Sequence, residues 1–249
     1  MDHRPIGVFD SGLGGLTAVQ ELMRLLPQED IIYFGDTARV PYGNRSPETI
    51  LKFARQDLNF LCSFDLKAVV IACGTVSTTS LSTLQKEYHL PIIGVVEPTA
   101  IQAARCTRNG KIGLIATAAS IRSGAYETLV QRENPKAQVF GKACPLFVPL
   151  VENGRFRPGD PVIELVAEEY LQSMKDTGVD TLMLGCTHYP LLSDIISKIM
   201  GPQVTLINSG HEAARALKAL LIQRDALAKD GLGDVSYFVS DTIDGFEDM

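Results

Sequence analysis

Ala68-Val69-Val70-Ile71-Ala72-Cys73-Gly74-Thr75 is a short, unbroken apolar run that stops on a cysteine and a glycine. Thr181-Leu182-Met183-Leu184-Gly185-Cys186-Thr187-His188 repeats the arrangement in the second half of the chain. A run of apolar residues without polar alternation reads as a strand buried on both faces, the kind found in parallel sheets. Each run turns into a helical pattern, so each cysteine is placed at a strand-to-helix turn. The first N–H groups of a helix are unpaired and partly positive, a setting in which a thiol ionises more readily than its usual pKa of about 8.5 allows. Two such thiols, one from each half, are placed to face one small molecule from opposite sides. That geometry suits lifting a proton from one face of a carbon and delivering one to the other.

Working outward, strand and helix alternate along the whole chain, which predicts an α/β fold with parallel sheets. Strands are expected over residues 5–9, 30–34, 67–72 and 92–96. Helices are expected over 16–26 and 46–64, the second with Ser46 as N-cap and Pro47 in its first turn. A second cycle opens at Lys111-Ile112-Gly113-Leu114-Ile115-Ala116, an echo of Pro5-Ile6-Gly7-Val8-Phe9-Asp10. It continues with a helix over 123–132, a strand over 137–140, a helix over 161–177 and the strand into Cys186. Helices over 99–107 and 210–230 fall at matching points after each cysteine strand. Gly7 precedes Cys73 by 66 residues and Gly113 precedes Cys186 by 73. This is the pattern of a diverged internal duplication, with two parallel-sheet α/β halves packed closely about a cleft. The strand over 235–239 is expected to return to the first domain. That domain would then comprise residues 1–97 plus 211–249, and the second 98–210. Gly245-Phe246-Glu247-Asp248-Met249 stands where a further helix would begin.

Composition narrows the function classes. With 249 residues, 45% of them hydrophobic, the chain is long enough for two modest domains or one large one. A net charge of −6 and the lack of any basic run argue against nucleic-acid binding. No apolar run approaches the roughly 18 residues of a membrane span. Met1-Asp2-His3-Arg4-Pro5 leads straight into a strand and does not read as a secretory signal. The five cysteines are odd in number and none has CxxC spacing, which points to a reducing cytoplasm and away from disulfides or zinc. Cys62, Cys106 and Cys144 read as small buried apolar residues.

Three further stretches carry chemistry. Asp10-Ser11-Gly12-Leu13-Gly14-Gly15 is a glycine-rich strand-to-helix turn that lacks both the dinucleotide spacing and a P-loop lysine. On its glycines alone it is equally a tight turn or a ligand loop. Gly35-Asp36-Thr37-Ala38-Arg39-Val40-Pro41-Tyr42-Gly43 is a polar loop after a strand. Gly185-Cys186-Thr187-His188-Tyr189-Pro190-Leu191-Leu192 joins a thiol, a hydroxyl and an imidazole within three residues. Together with Cys144-Pro145 and Val148-Pro149-Leu150-Val151-Glu152, these closely resemble the signatures of the glutamate racemases, within the aspartate/glutamate racemase superfamily. The resemblance runs from Ile6 to about Phe246, and it implies two pseudo-symmetric α/β domains with the active site in the cleft between them.

The resemblance implies interconversion of L- and D-glutamate without a cofactor or a metal, by two cysteines on opposite faces of Cα, here Cys73 and Cys186. It places Asp10 beside the first and His188 beside the second as groups assisting proton transfer, and Glu152 and Asp36 at further polar positions. Asp10, Ser11, Tyr42, Gly43, Gly74, Thr75, Thr117, Thr187 and His188 match the substrate shell. Taken singly, the serine and threonines are more commonly ordinary helix N-caps. No arginine stands inside the cysteine motifs, so carboxylates would rest on helix N-terminal N–H groups and short hydroxyls. Many relatives carry Asn after the first cysteine, where this chain has Gly74. The family also implies a cytoplasmic homodimer that supplies D-glutamate for peptidoglycan, with glutamate as small-molecule partner and neither nucleic acid nor membrane. Two rival readings stay open on the residues alone. One is a two-cysteine relative acting on aspartate, a hydantoin or maleate; the other is a non-catalytic amino-acid sensor or protein-binding module on the same fold.

Overall fold

The computed structural model describes residues 2–242. The helix expected around residues 245–249 lies outside them. Among the described residues nine strands form two separate, wholly parallel sheets: β1 Ile6–Asp10, β2 Ile31–Gly35, β3 Ala68–Ile71, β4 Ile92–Gly94, β5 Lys111–Ala116, β6 Gln138–Ala143, β7 Thr181–Leu184, β8 Thr205–Asn208 and β9 Val235–Val239. The first sheet has the order β4-β3-β1-β2-β9 and the second β6-β5-β7-β8. Without its edge strand β9, the first order is the second one repeated, as a duplicated unit requires. In each sheet the chain starts in the middle, adds one neighbour, then crosses to the other side. Loops diverge at such a reversal and leave a crevice at the carboxyl ends of the two central strands. Asp10 ends β1 and Cys73 follows β3; Thr117 follows β5 and Cys186 follows β7.

The echo of Gly7 and Gly113 has a packing cause. A Cβ on Gly7 would stand 2.6 Å from Leu66 Cδ1, with Val69 and Leu61 behind it. A Cβ on Gly113 would stand 2.7 Å from Leu182 Cδ1, with Met174 and Val179 behind. In both halves a leucine side chain packs directly on the first strand, and only glycine leaves it room.

The cores are layered. One cluster lies between the sheets and combines Val8, Val70, Leu114 and Met183 from the strands with Leu22, Ala103 and Leu217 from the helices Leu16–Leu25, Val96–Cys106 and Ser209–Gln223. A second covers the outer face of the first sheet, where Leu58 and Leu61 of helix Pro47–Leu61 pack on Val69 and Ile71. A third covers the outer face of the second sheet, with Ile163, Ala167 and Leu171 of helix Pro161–Thr177 against Leu182 and Leu184. The shared inner core means that the halves are coupled by packed side chains, not by a tether. Truncating one of its leucines to alanine costs about 2–5 kcal/mol.

Several ends are set by capping. Ser46 accepts the Thr49 N–H and Pro47 opens that helix, as expected. Asp160 accepts the Val162 N–H, and Gly178 at φ 73° closes the following helix. The helix expected over 123–132 is instead two, Ala118–Ser123 and Ala125–Glu133, because Gly124 adopts φ 62° between them. The helix expected to reach residue 230 stops at Gln223. There Lys67 Nζ donates to the Ala226 carbonyl at 2.9 Å, and Glu29 accepts the Ala228 N–H at 2.9 Å. Lys67 and Glu29 are themselves a buried ion pair. These tertiary bonds pull the chain off its helical path and toward β9, which pairs with β2.

Candidate active site

Strand order brings the two cysteine turns together across the crevice. Cys73 is the N-cap residue of helix Gly74–Thr79, and Cys186 precedes the short 3₁₀ turn Tyr189–Leu192, which feeds helix Ser193–Met200. The second cysteine therefore faces a tight turn where the sequence suggested a helix. Both thiols line one enclosed cavity, with Ser11, Tyr42, Gly43, Gly74, Thr75, Thr117, Glu152, Thr187 and His188 around it. Every residue expected in the substrate shell is there except Asp10. That carboxylate lies behind the wall, fully buried. Residues that the motifs did not single out complete the lining: Gly12, Val40, Pro41, Val148 and Gly185. All five lie within or beside the quoted stretches, so adjacency was the only signal for them.

The cavity holds about 30 Å³, the share of one water molecule in the liquid. The two cysteine turns meet across it, where a Cβ on Gly74 would stand 2.5 Å from the Gly185 carbonyl oxygen. An adjoining pocket of about 200 Å³, reaching to Cys144 and Pro149, shares Val40, Gly43, Val148 and Glu152 with it. A larger cavity of about 650 Å³ lies beside β4, between helices Val96–Cys106 and Ser209–Gln223. Size alone would favour it, but Glu97 is the only ionisable group among its lining residues. The small cavity is lined by two thiols, an imidazole and the Glu152 carboxylate.

Hydrogen bonds set each side. On the first, Cys73 Sγ donates to Ser11 Oγ at 3.3 Å. Asp10 Oδ2 accepts the Gly15 N–H at 2.9 Å and the Thr187 hydroxyl at 3.4 Å, so this carboxylate reaches across to the second turn. Burial raises Asp10 to about 6, against the opposing pull of His188 and of the Gly15 and Ser11 N–H groups. The same burial, with Asp10 adding to it, pushes the Cys73 thiol up to about 12. The sequence suggested a thiol eased toward ionisation at this turn. In the closed cleft desolvation outweighs the Ser11 hydroxyl and the Val76 N–H, and Cys73 is protonated.

On the second side, His188 Nδ1 lies 3.7 Å from Cys186 Sγ and Nε2 lies 3.0 Å from Glu152 Oε1. Burial opposes the charged imidazole, but the sulfur and the carboxylate together outweigh it and lift His188 to about 10. An imidazolium therefore faces Cys186 at neutral pH, and Glu152 holds it in place. The arrangement is asymmetric, with a neutral thiol on one wall and a cation beside the other.

Other contacts pin the halves. Thr75 and Thr117 hydroxyls meet at 3.0 Å across the crevice. Thr17 donates to the Thr187 carbonyl at 2.8 Å. Tyr42 lines the cavity, yet its hydroxyl points away into a buried cluster with Asp36, Asp57 and Arg39. Asp36, a further polar position in the resemblance, thus supports the loop from beneath and does not line the cavity. Burial, then the charge of Asp36, raises Asp57 to about 7. The Tyr42 hydroxyl lies within hydrogen-bond reach of both carboxylates, and Arg39 pairs with each.

The cleft between the two parallel sheets thus holds one thiol from each and, among its lining residues, no cationic side chain but the His188 imidazole. Residues 10–217 match the Asp/Glu/Hydantoin racemase family, and the chain belongs to that family. It is an isomerase of the amino-acid racemase kind. Its sequence is 47% identical over 247 residues to the glutamate racemase of Geobacter metallireducens, across 99% of this chain and 91% of that one. Its fold matches a glutamate racemase isoform of Bacillus anthracis with a TM-score of 0.94 at 39% identity, covering 99% and 92% of the two chains. It matches the Francisella tularensis glutamate racemase, solved with D-glutamate, with a TM-score of 0.90 at 40% identity, covering 99% and 91%. The family read from the motifs and the two-domain α/β fold are both borne out. Among the described residues no helix is long and apolar enough to cross a membrane.

Proposed function

We propose that this protein interconverts L- and D-glutamate by moving the α-proton between Cys73 and Cys186. One observation carries the reading: both sulfurs line the same closed cavity, each delivered by the equivalent strand of a repeated sheet. Cys186, with the His188 imidazolium against it, acts first as base and removes the α-proton from one face. Cys73, held as a thiol, delivers its proton to the other face. The carbanion between them is shielded from water because the cleft closes to a volume that admits no bulk solvent. The next turnover runs in the opposite direction, or resets once the two sulfurs exchange a proton with solvent through the open cleft. The substrate ammonium supplies the positive charge that the Cys73 wall lacks, and so eases ionisation of that thiol once the ligand is bound. The paired thiols supply both proton-transfer groups, so the reading needs neither metal nor pyridoxal.

Asp10 and His188 serve as the assisting groups, with Glu152 orienting the imidazole. Ser11, Gly43, Thr75, Thr117 and Thr187 present the hydroxyl and N–H donors for the carboxylates. The parts that separate on opening are residues 1–97 plus 211–249 and residues 98–210. The relatives' names support glutamate over aspartate or a hydantoin as substrate. The same kinship supports a cytoplasmic homodimer that provides D-glutamate for peptidoglycan.

The test is incubation of the purified protein with L-glutamate in deuterated water without added cofactor. Loss of circular dichroism together with deuterium at Cα in the product is the expected result. Folded protein with reduced thiols that exchanges no α-hydrogen on glutamate would overturn the reading.

A further inference from the structure

Four tyrosines are completely or almost completely buried: Tyr33, Tyr42, Tyr126 and Tyr189. Three of their hydroxyls are bonded. Tyr33 donates to the Gly12 carbonyl at 2.5 Å, Tyr42 joins Asp36 and Asp57, and Tyr189 donates to the Cys144 carbonyl at 3.0 Å. The Tyr126 hydroxyl is the exception: it is fully buried and has no hydrogen-bond partner among the described residues. A buried hydroxyl left unpaired is costly, and a native fold that keeps one calls for a reason.

Its position supplies one. A Cβ built on Gly74 would stand 3.9 Å from Tyr126 Oη, and Gly74 lines the cavity between Cys73 and Thr75. The same Cβ would stand 2.5 Å from the Gly185 carbonyl oxygen, so Gly74 and Gly185 are where the two cysteine turns touch. The phenol thus comes up under the contact that has to part when the cleft opens. It also senses both catalytic sulfurs: burial first, then the charges of Cys186 and Cys73, keep it protonated well above the usual tyrosine range. A phenol that cannot ionise is a donor, and the acceptors on an amino acid are its carboxylate oxygens.

We propose that Tyr126 is a substrate-binding residue whose hydroxyl donates to a carboxylate oxygen of the amino acid, in the space beside Gly74 that opening of the cleft creates. This rests on the amino-acid reading of the cleft given above. Glycine at position 74 is then what leaves the phenol access, since any side chain there would stand between Oη and the ligand and would press on Gly185. Neither the motifs nor the strand pattern draws attention to Tyr126, which lies in the helix Ala125–Glu133.

Tyr126→Phe tests the assignment with little risk to folding, because it removes only an oxygen that the protein does not bond. D-glutamate is titrated calorimetrically into the wild-type and variant full chains, alongside steady-state kinetics and thermal unfolding without ligand. The expected result is binding weakened about tenfold, with KM raised to match, while the unliganded Tm is unchanged or higher. Affinity within about twofold of wild type would overturn the proposal. So would a lower unliganded Tm with unchanged affinity, which would mark the hydroxyl as structural. Wild-type protein that does not take up D-glutamate would overturn the amino-acid reading itself, and Tyr126 with it. Binding by wild type and variant alike would sink Tyr126 alone.

Discussion

Asp10→Asn should make the unliganded protein more stable at pH 8 while making it a poorer racemase. Asp10 is fully buried, and its pKa rises from 3.8 to about 6, chiefly through burial. A carboxyl group raised in this way keeps its proton in the folded state at pH values where the unfolded chain has lost it. The penalty is therefore absent below about pH 4 and complete above about pH 6. At about 1.4 kcal/mol for each tenfold, it amounts to about 3 kcal/mol. An amide avoids that cost but gives up part of the charge-assisted bond to the Gly15 N–H, and turns a donor toward the place where Oδ1 has no partner. These losses come to about 1 kcal/mol. The net gain of about 2 kcal/mol corresponds to a Tm about 4–8 °C higher for a chain of this size. Thermal unfolding of both proteins from pH 4 to pH 8 measures it, and the gap should close and then reverse as the pH falls toward 4. Racemisation should drop at least about tenfold, because the carboxylate that bridges to Thr187 and sets the field at Cys73 is gone. A Tm gap that does not change with pH, or a variant less stable at pH 8, would refute the argument that desolvation dominates at Asp10.

Cys73→Ala and Cys186→Ala should each abolish racemisation while shifting stability by no more than about 1 kcal/mol, since each removes a single buried sulfur; residual turnover above about one per cent in either would defeat the two-thiol scheme. Glu152→Gln removes the carboxylate 3.0 Å from His188 Nε2, so His188 should fall from about 10 toward 6.5 and the alkaline limb of the pH–rate profile should move down by about one pH unit or more. Because the folded-state value is raised, the stability tied to this histidine is complete below about pH 6.5 and lost as the pH rises toward 10. In Glu152→Gln that slope should flatten, and an unchanged slope would show that Glu152 does not set the charge. Gly14→Ala would place a Cβ 2.5 Å from His188 Nδ1 and Thr187 Oγ1, so it should cost about 1–3 kcal/mol of stability and at least about tenfold in rate; near-normal kinetics would mean that the His188 position is not critical.

The chain states its fold class plainly because the signals are local. Apolar runs such as Ala68–Ile71 and Thr181–Leu184 need no knowledge of their neighbours to read as buried parallel strands, and the Gly7 and Gly113 echo exposes the repeat. The cysteine turns, the Ser11 and Gly43 loops and the His188 motif were legible for the same reason, since each is contiguous in sequence. Boundaries failed where distant groups decide them. Helix Ser209–Gln223 ends early because Lys67 and Glu29 capture the chain beyond it, and neither residue is near it in sequence.

The sequence by itself determined which residue types stand at the carboxyl ends of which strands, because strand, turn and cap are written in neighbouring residues. Only the tertiary structure decided what those residues have become. Whether Cys73 is a thiol or a thiolate depends on burial and on Asp10, and burial arises when two sheets close on each other. That His188 carries charge depends on Glu152, 36 positions away, and on Cys186 beside it. That the Tyr126 hydroxyl is buried without a partner beside Gly74 of the other half is equally a product of tertiary packing. Desolvation and long-range hydrogen bonding belong to the packed molecule, and no segment holds them before it is folded.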